Sequence, residues 1–310
     1  MSFAKEVKKE VLKNTLKSRH CNMAFMSVLI KNYGRIVENS GQKSLVISSD
    51  NEDIIRKCFT MLKKIYNIDI GVLSKGNSFY IEISDEITIQ TILQGMKMWH
   101  DNKPDIPKDG VISSLLIPKM CCKRAYLSAL FLCQGQITDP AKSYHLEIVT
   151  SSEKESEQVK EVLEAFEISA GSTLRKNQHL VYIKDGTVIV EFLNVISAYV
   201  SLMNLENERI IKEIANDTNR RVNFETANLV KSINTATKQI MDIELIEERL
   251  GLDSLPDDLR QMAIVRLEHG DAPLAELGGY LTPAIGKSGV NHRLRKITKI
   301  ADELRGTQNS

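Results

Sequence analysis

Long apolar runs are missing from this sequence: no stretch approaches the roughly 20 apolar residues of a membrane span. Its opening, "MSFAKEVKKEVLKNTLKSRH", lacks the apolar block of a secretory signal, so a cytoplasmic location with no membrane partner is expected. Charge of one sign is missing too. With 41 Lys and Arg against 40 Asp and Glu, the net charge is +1, which argues against an indiscriminately basic chain and leaves only local asymmetry to look for. Cysteine is scarce: Cys21, Cys58, Cys121, Cys122 and Cys133 form no CxxC pair and have no histidine nearby at zinc-finger spacing. Neither a disulfide framework nor a structural metal is signalled, and the five read as reduced, mostly buried thiols. His20, His100, His145, His179 and His269 share no spacing that suggests a metal or a catalytic base. No metal and no cofactor are therefore expected.

What is present is size and repetition. At 310 residues with 42% hydrophobic content, the chain is long enough for two cores. The stretch "CNMAFMSVLIKNYGRI" at residues 21 to 36 returns as "CKRAYLSALFLCQGQI" at 122 to 137. Cys21 overlies Cys122, Ala24 Ala125, Ser27 Ser128, Leu29 Leu130, Gly34 Gly135 and Ile36 Ile137, always 101 residues apart. Each copy reads as a helix ending in glycine. Small residues at Ala24, Ser27, Ala125 and Ser128 let two such helices approach closely, and each glycine releases the chain where a side chain clashes or a positive φ is required.

The repeat extends further. Hairpins follow with turns at Ser40-Gly41 and Asp139-Pro140, then helices over 52 to 66 and 153 to 166. Short strands follow near 70 to 73, 79 to 83, 172 to 175 and 180 to 183, and helices near 87 to 99 and 188 to 199 close the halves. Trp99 reads as core, and so does the side of an N-terminal helix carrying Phe3, Val7 and Val11. Each half is thus αββαββα, and pairing the two across an approximate twofold axis buries what each leaves open. A seam helix ending in glycine, followed by that order, resembles the LAGLIDADG fold of homing endonucleases.

From about Leu205 the pattern becomes long and helical. Leu229, Ile233, Ala236, Ile240 and Ile243 recur at spacings of four and three, Gly251 marks a stop, and a further helix starts near Pro256. A short helix over 273 to 277, the pair Gly278-Gly279 and a turn through Thr282-Pro283 lead to a longer helix capped by Ser288. On that helix Val290, Leu294, Ile297, Ala301 and Leu304 form one apolar stripe. At about 100° per residue, His292, Arg295 and Lys299 lie opposite the stripe, with Asn291 and Lys296 on its flanks. Five Lys or Arg and no acid occur between Lys287 and Lys299. This is the division of labour of a helix entering a DNA major groove, with free amides near Ser288 and Gly289 available to a phosphate. The candidate DNA contacts are Lys287, Ser288, Gly289, Asn291, His292, Arg293, Arg295, Lys296 and Lys299. Lys75, Arg175 and Lys176, on or beside predicted strands, are weaker candidates.

A LAGLIDADG-like part joined to a C-terminal helix-turn-helix resembles the WhiA family of DNA-binding regulators. The match is carried by "NRRVNFETANLVKSINTATKQI" and "LAELGGYLTPAIGKSGVNHRLRKI" and covers essentially the whole chain. The expected class is α+β. A pseudo-twofold LAGLIDADG-like domain spans 1 to 203, with halves at about 20 to 100 and 121 to 203. A charged linker at 204 to 221 and an all-α helix-turn-helix domain at 222 to 310 follow. The resemblance implies a transcriptional regulator of sporulation, cell division or chromosome segregation, nucleoid-associated, with promoter double-stranded DNA as partner. A WhiB-type iron–sulfur protein is the co-regulator implied by related systems. Two rival readings stand beside it: a LAGLIDADG-type endonuclease and a protein-interaction scaffold. Homing endonucleases place an acid immediately before the motif glycine, because paired carboxylates hold the divalent metals. Here those positions are Tyr33 and Gln134, and no Asp or Glu lies in either motif helix, so no catalytic residue is expected.

Overall fold

The computed structural model describes residues 2–39 and 41–306. The chain divides into two compact units, residues 1–212 and 213–310.

The first unit opens with α1 (Phe3–Lys13), whose Phe3, Val7 and Val11 are buried as their spacing predicts. The first half then runs α2 (Arg19–Tyr33), β1 (Gly34–Asn39), β2 (Gln42–Ser49), α3 (Glu52–Tyr66), β3 (Leu73–Lys75), β4 (Ser78–Ile83) and α4 (Glu86–Gly95). A two-stranded link, β5 (Trp99–His100) and β6 (Lys103–Pro104), leads towards the second half. That half runs α5 (Met120–Gln134), β7 (Gly135–Ile137), β8 (Leu146–Thr150), α6 (Glu153–Glu164), β9 (Gly171–Arg175), β10 (Gln178–Ile183) and α7 (Gly186–Val195). The sheets have the same antiparallel order, β1-β2-β4-β3 and β7-β8-β10-β9. The expected αββαββα repeat is therefore present in both halves.

The duplication persists in the caps. Asp85 accepts from the hydroxyl and the amide of Thr88 ahead of α4, and Asp185 accepts from the amides of Val188 and Thr187 ahead of α7, which holds both carboxyls below their usual range. Both helices stop sooner than apolar periodicity suggests. Lys97 and Ser197 take left-handed φ values of 59°, and the amides of Met98 and Ala198 reach back to the carbonyls of Leu93 and Leu193. This six-to-one closure ends a helix whatever the following side chains. Trp99 thus belongs to β5 rather than to a helix, although it still packs on the core.

α2 and α5 pack together more extensively than any other pair of elements. Ala24, Ser27 and Ala125 are fully buried between them, and the hydroxyls of Ser27 and Ser128 are satisfied within their own helices, on the carbonyls of Ala24 and Arg124. Gly34 and Gly135 have ordinary negative φ, so the requirement there is space. A Cβ on Gly34 falls 2.5 Å from the Ile30 carbonyl oxygen, and one on Gly135 falls 2.6 Å from that of Phe131. One apolar core, including Phe25, Leu29, Leu130 and Phe131, runs through both halves.

The remaining differences are local. β3 begins at Leu73, where the apolar run over 70 to 73 was expected to form the strand. Strands β7 and β8 are joined by residues 138–145, within which Asp139 accepts from the Ala141 amide, so the Asp139-Pro140 turn is one part of a longer loop. In the first hairpin Gly41 has φ of 82°, while Ser40 lies outside the described residues.

α8 (Tyr199–Leu250) is a single helix of 52 residues, so the expected linker at 204 to 221 is helical throughout. Its first part belongs to the first unit. Leu205 is buried there, Arg209 donates to Thr187, and Lys212 Nζ donates to the Pro140 carbonyl at 2.6 Å. In the second unit the lower part of the predicted stripe is core at Ile243, whereas Leu229 and Ile233 are exposed. The unit is completed by α9 (Asp257–Glu268), α10 (Leu274–Leu277) and α11 (Lys287–Gly306).

Candidate nucleic-acid interface

α11 is divided as its sequence requires. Val290, Leu294, Ile297 and Ala301 are buried in a core shared with Met262 and Ala263 of α9 and Leu277 of α10. Lys287, Ser288, His292, Arg295, Lys296 and Lys299 are exposed, and Gly289 and Asn291 are half-buried. Nine of the nine candidate positions are thus on one helix, yet they are not equivalent. Arg293 turns towards α9: its Nη1 donates to the Asp258 carbonyl at 3.4 Å and its Nε lies 3.8 Å from the Asp258 carboxylate. It fastens the helix instead of presenting a free guanidinium. Ser288 also changes role, since α11 begins at Lys287 and the serine sits inside the first turn rather than capping it. Lys299 lies 3.9 Å from Glu303, an exposed pair that competes weakly with a phosphate.

The turn ahead of α11 depends on a close backbone approach. The Ile285 amide donates to the Gly278 carbonyl at 3.0 Å, and a Cβ on Gly278 falls 2.0 Å from the Ile285 carbonyl oxygen. Nothing lies within 4 Å of the Cβ position of Gly279. Neighbouring glycines therefore predict opposite outcomes. Gly278→Ala lowers the thermal midpoint, by a cost of about 1–3 kcal/mol for overpacking, while Gly279→Ala is neutral or slightly stabilising. Equal midpoints for the two variants in a melting experiment refute this account of the turn.

Behind the turn, Arg266 is almost fully buried. It donates through Nε and Nη2 to Gln239 Oε1 at 3.0 and 2.9 Å, and through Nη1 to the Ala272 carbonyl at 2.8 Å, tying α8, α9 and the approach to α10. Burial lowers its pKa. At the far end, Arg305 Nη2 donates to the buried Asp242 Oδ1 of α8 at 2.6 Å, a bond that raises the guanidinium pKa. The Arg305 bond fixes the C-terminal end of α11 to α8 and leaves the outer face of the helix to solvent.

In the first unit, the motif positions Tyr33 and Gln134 close the two seam helices, and neither is a carboxylate. The structure adds a residue that the motif comparison overlooks. Lys31 of α2 pairs with Glu155 of α6, and its Nζ donates to Gln134 Oε1 at 3.3 Å. Both partners of the ion pair are buried, and Glu155 also accepts from the Ser151 amide at 2.6 Å. Tyr33 is half-buried, and its hydroxyl pKa is raised first by burial and then by the neighbouring Cys133 thiol. Beside this centre opens a cavity of about 720 Å³ lined by Lys31, Arg35, Lys103 and Lys108, with Asp105 as its acid. Lys103 and Lys108 sit in the link between halves, where no periodicity marks them. Arg175 and Lys176 lie at the tip of the β9–β10 hairpin and Lys75 at that of β3–β4, all exposed. A further group escaped the sequence reading: His20, Cys21, Cys121 and Cys122, from the first turns of α2 and α5, come together.

A duplicated LAGLIDADG-like unit followed by a helix-turn-helix unit is the class that fold and site define. Family models match in that order: the WhiA N-terminal LAGLIDADG-like domain over residues 19–99, the WhiA LAGLIDADG-like domain over 123–215 and the WhiA C-terminal HTH domain over 218–301. The "Probable cell division protein WhiA" of Lachnoclostridium phytofermentans is 40% identical over 314 residues, covering 98% of this chain and 100% of that protein. That of Caldicellulosiruptor saccharolyticus is 42% identical over 313 residues, covering 98% and 96%. The crystal structure of full-length DUF199/WhiA from Thermatoga maritima aligns with a TM-score of 0.56 and 28% identity, over 98% of this chain and 99% of that one. The chain belongs to the WhiA family. Among the described residues, no helix is long and apolar enough to cross a membrane.

Proposed function

We propose that the chain is a non-catalytic DNA-binding transcriptional regulator acting on cell division, and on sporulation or chromosome segregation where the organism has them. Its site of action is promoter DNA in the nucleoid, and the WhiB-type iron–sulfur co-regulator implied by the family resemblance is carried over as part of this reading. The observation that supports it best is the outer face of α11. His292, Arg295, Lys296 and Lys299 are exposed together, and the first acid of the helix is Asp302. Early polar residues reach base edges, while the lysines meet phosphates.

The non-catalytic part rests on the seam. A cleavage centre of this architecture requires hard anionic ligands, whereas the side chains here are a phenol, a carboxamide and an ammonium already paired with Glu155. The naming of the relatives as probable cell division proteins supports the cell-division assignment.

The test is a salt titration of the full chain on a pool of genomic DNA fragments with magnesium present. The expected result is enrichment of particular fragments, intact DNA, and log K falling against log salt by about 0.9 per phosphate contact. Magnesium-dependent cutting overturns the non-catalytic reading. A flat salt response without enrichment favours a protein-interaction scaffold.

A further inference from the structure

The two seam helices begin with matched pairs of metal-ligating residues. His20 and Cys21 open α2, and Cys121 and Cys122 stand at the corresponding positions of α5, each 101 residues on. Adjacent residues on one helix point about 100° apart, so neither pair surrounds an ion alone. Two first turns brought face to face across the pseudo-twofold axis do. His20 Nδ1 lies 3.2 Å from Cys122 Sγ, 3.3 Å from Cys21 Sγ and 4.0 Å from Cys121 Sγ. All four ligand atoms lie within 4.8 Å of one another. A tetrahedral zinc with Zn–S near 2.3 Å and Zn–N near 2.0 Å places its ligand atoms about 3.5–3.8 Å apart. The four atoms are thus close to that arrangement already.

We infer that His20, Cys21, Cys121 and Cys122 form a Cys3His zinc site that staples the two LAGLIDADG-like halves together at the start of the seam. Three thiolates and a neutral imidazole around a divalent ion leave a net charge of −1. That charge sits at the N-termini of two helices, where unpaired amides and the macrodipole favour an anion. Arg19, Lys119, Lys123 and Arg124 flank the two pairs in sequence and add positive potential. Cys21 and Cys122 are buried while His20 and Cys121 are exposed, so the site has dry inner ligands and an open side for metal entry. Soft thiolates with imidazole in a tetrahedral set select zinc over magnesium or calcium. Binding releases up to three protons, one from each thiol, and the imidazole binds in its neutral form. The free energy of binding adds to the stability of the joined halves.

The test uses the full chain purified under reducing conditions, with its metal content measured by atomic emission and its thermal midpoint followed with and without chelator. One equivalent of zinc is expected, together with a midpoint that falls on chelation. Cobalt(II) added to the stripped chain should give the visible and near-ultraviolet bands of tetrahedral thiolate coordination. The variant with His20→Ala and Cys121→Ser removes only the exposed ligands and therefore spares the core. It should fold, lose the zinc and the cobalt spectrum, and melt independently of chelator. A stripped parent that takes up neither zinc nor cobalt overturns the site, as does uptake undiminished in the folded variant. Iron found in place of zinc overturns the choice of metal.

Discussion

Lys31→Met lowers the unfolding free energy by about 3–5 kcal/mol, seen as an earlier urea midpoint with an unchanged slope. The lysine side chain is 3% exposed and its partner Glu155 0%. Removing the ammonium leaves a buried carboxylate with, among the described residues, the Ser151 amide as its remaining hydrogen-bond donor. The carboxylate already lies against Gly110, where an added Cβ would fall 2.1 Å from Glu155 Oε2. The loss therefore comes from an unpaired buried charge rather than from the pair's own attraction. It follows that Lys31→Met combined with Glu155→Leu recovers most of the stability, since an apolar pair of similar volume carries no desolvation cost. If Lys31→Met alone stays within about 1 kcal/mol of the parent, water reaches the centre and the pair is not isolated. Lys31 comes from the first half and Glu155 from the second, so the pair also fixes how the halves meet at the end of the seam opposite the cysteines.

Much of this arrangement is legible in the sequence. The repeat at an offset of 101 specifies the seam: the small residues Ala24, Ser27, Ala125 and Ser128 recur with it, and each copy ends in a glycine whose Cβ would strike the last turn of its own helix. The apolar stripe of α11 is equally readable, since spacings of four and three put Val290, Leu294, Ile297 and Ala301 on one buried side. What escaped depends on pairings between distant positions. Lys31 and Glu155 are 124 residues apart, and nothing in either local pattern marks them as partners. The same holds for His20 with Cys122, although there a signal was available. The thiol repeats with the helix, and a duplicated ligand at a twofold seam meets its own copy. Helix ends were misplaced near residues 95 and 195 because a left-handed residue, Lys97 or Ser197, overrides apolar periodicity. Arg293 shows the limit of reading a face by angle alone. Its position on the helix suits DNA, but Asp258 on α9 claims its side chain.

Replacing Lys287, Lys296 and Lys299 together by alanine makes the salt dependence of DNA binding shallower by about 0.9 per lysine, which near 0.1 M salt is about tenfold in affinity for each. The loss is uniform across sequences, because phosphate contacts carry no base information. Arg295→Ala behaves differently. It costs about 1–3 kcal/mol on preferred fragments, relaxes the preference, and leaves non-specific binding nearly intact. Arg293→Ala changes neither quantity, since its guanidinium is engaged with Asp258. The three variants thus separate phosphate contact, base reading and helix anchoring on one element. Identical slopes and preferences in all three remove α11 from the interface. The comparison variant is Arg35→Ala, Lys103→Ala and Lys108→Ala, which strips the cations around the cavity of the first unit and spares the buried Lys31. If that variant loses the salt slope while the α11 lysine variant keeps it, the LAGLIDADG-like unit carries the DNA and the helix-turn-helix serves another partner. If each loses part, both units grip the same polyanion, and the short α11 footprint gains its specificity from the larger surface.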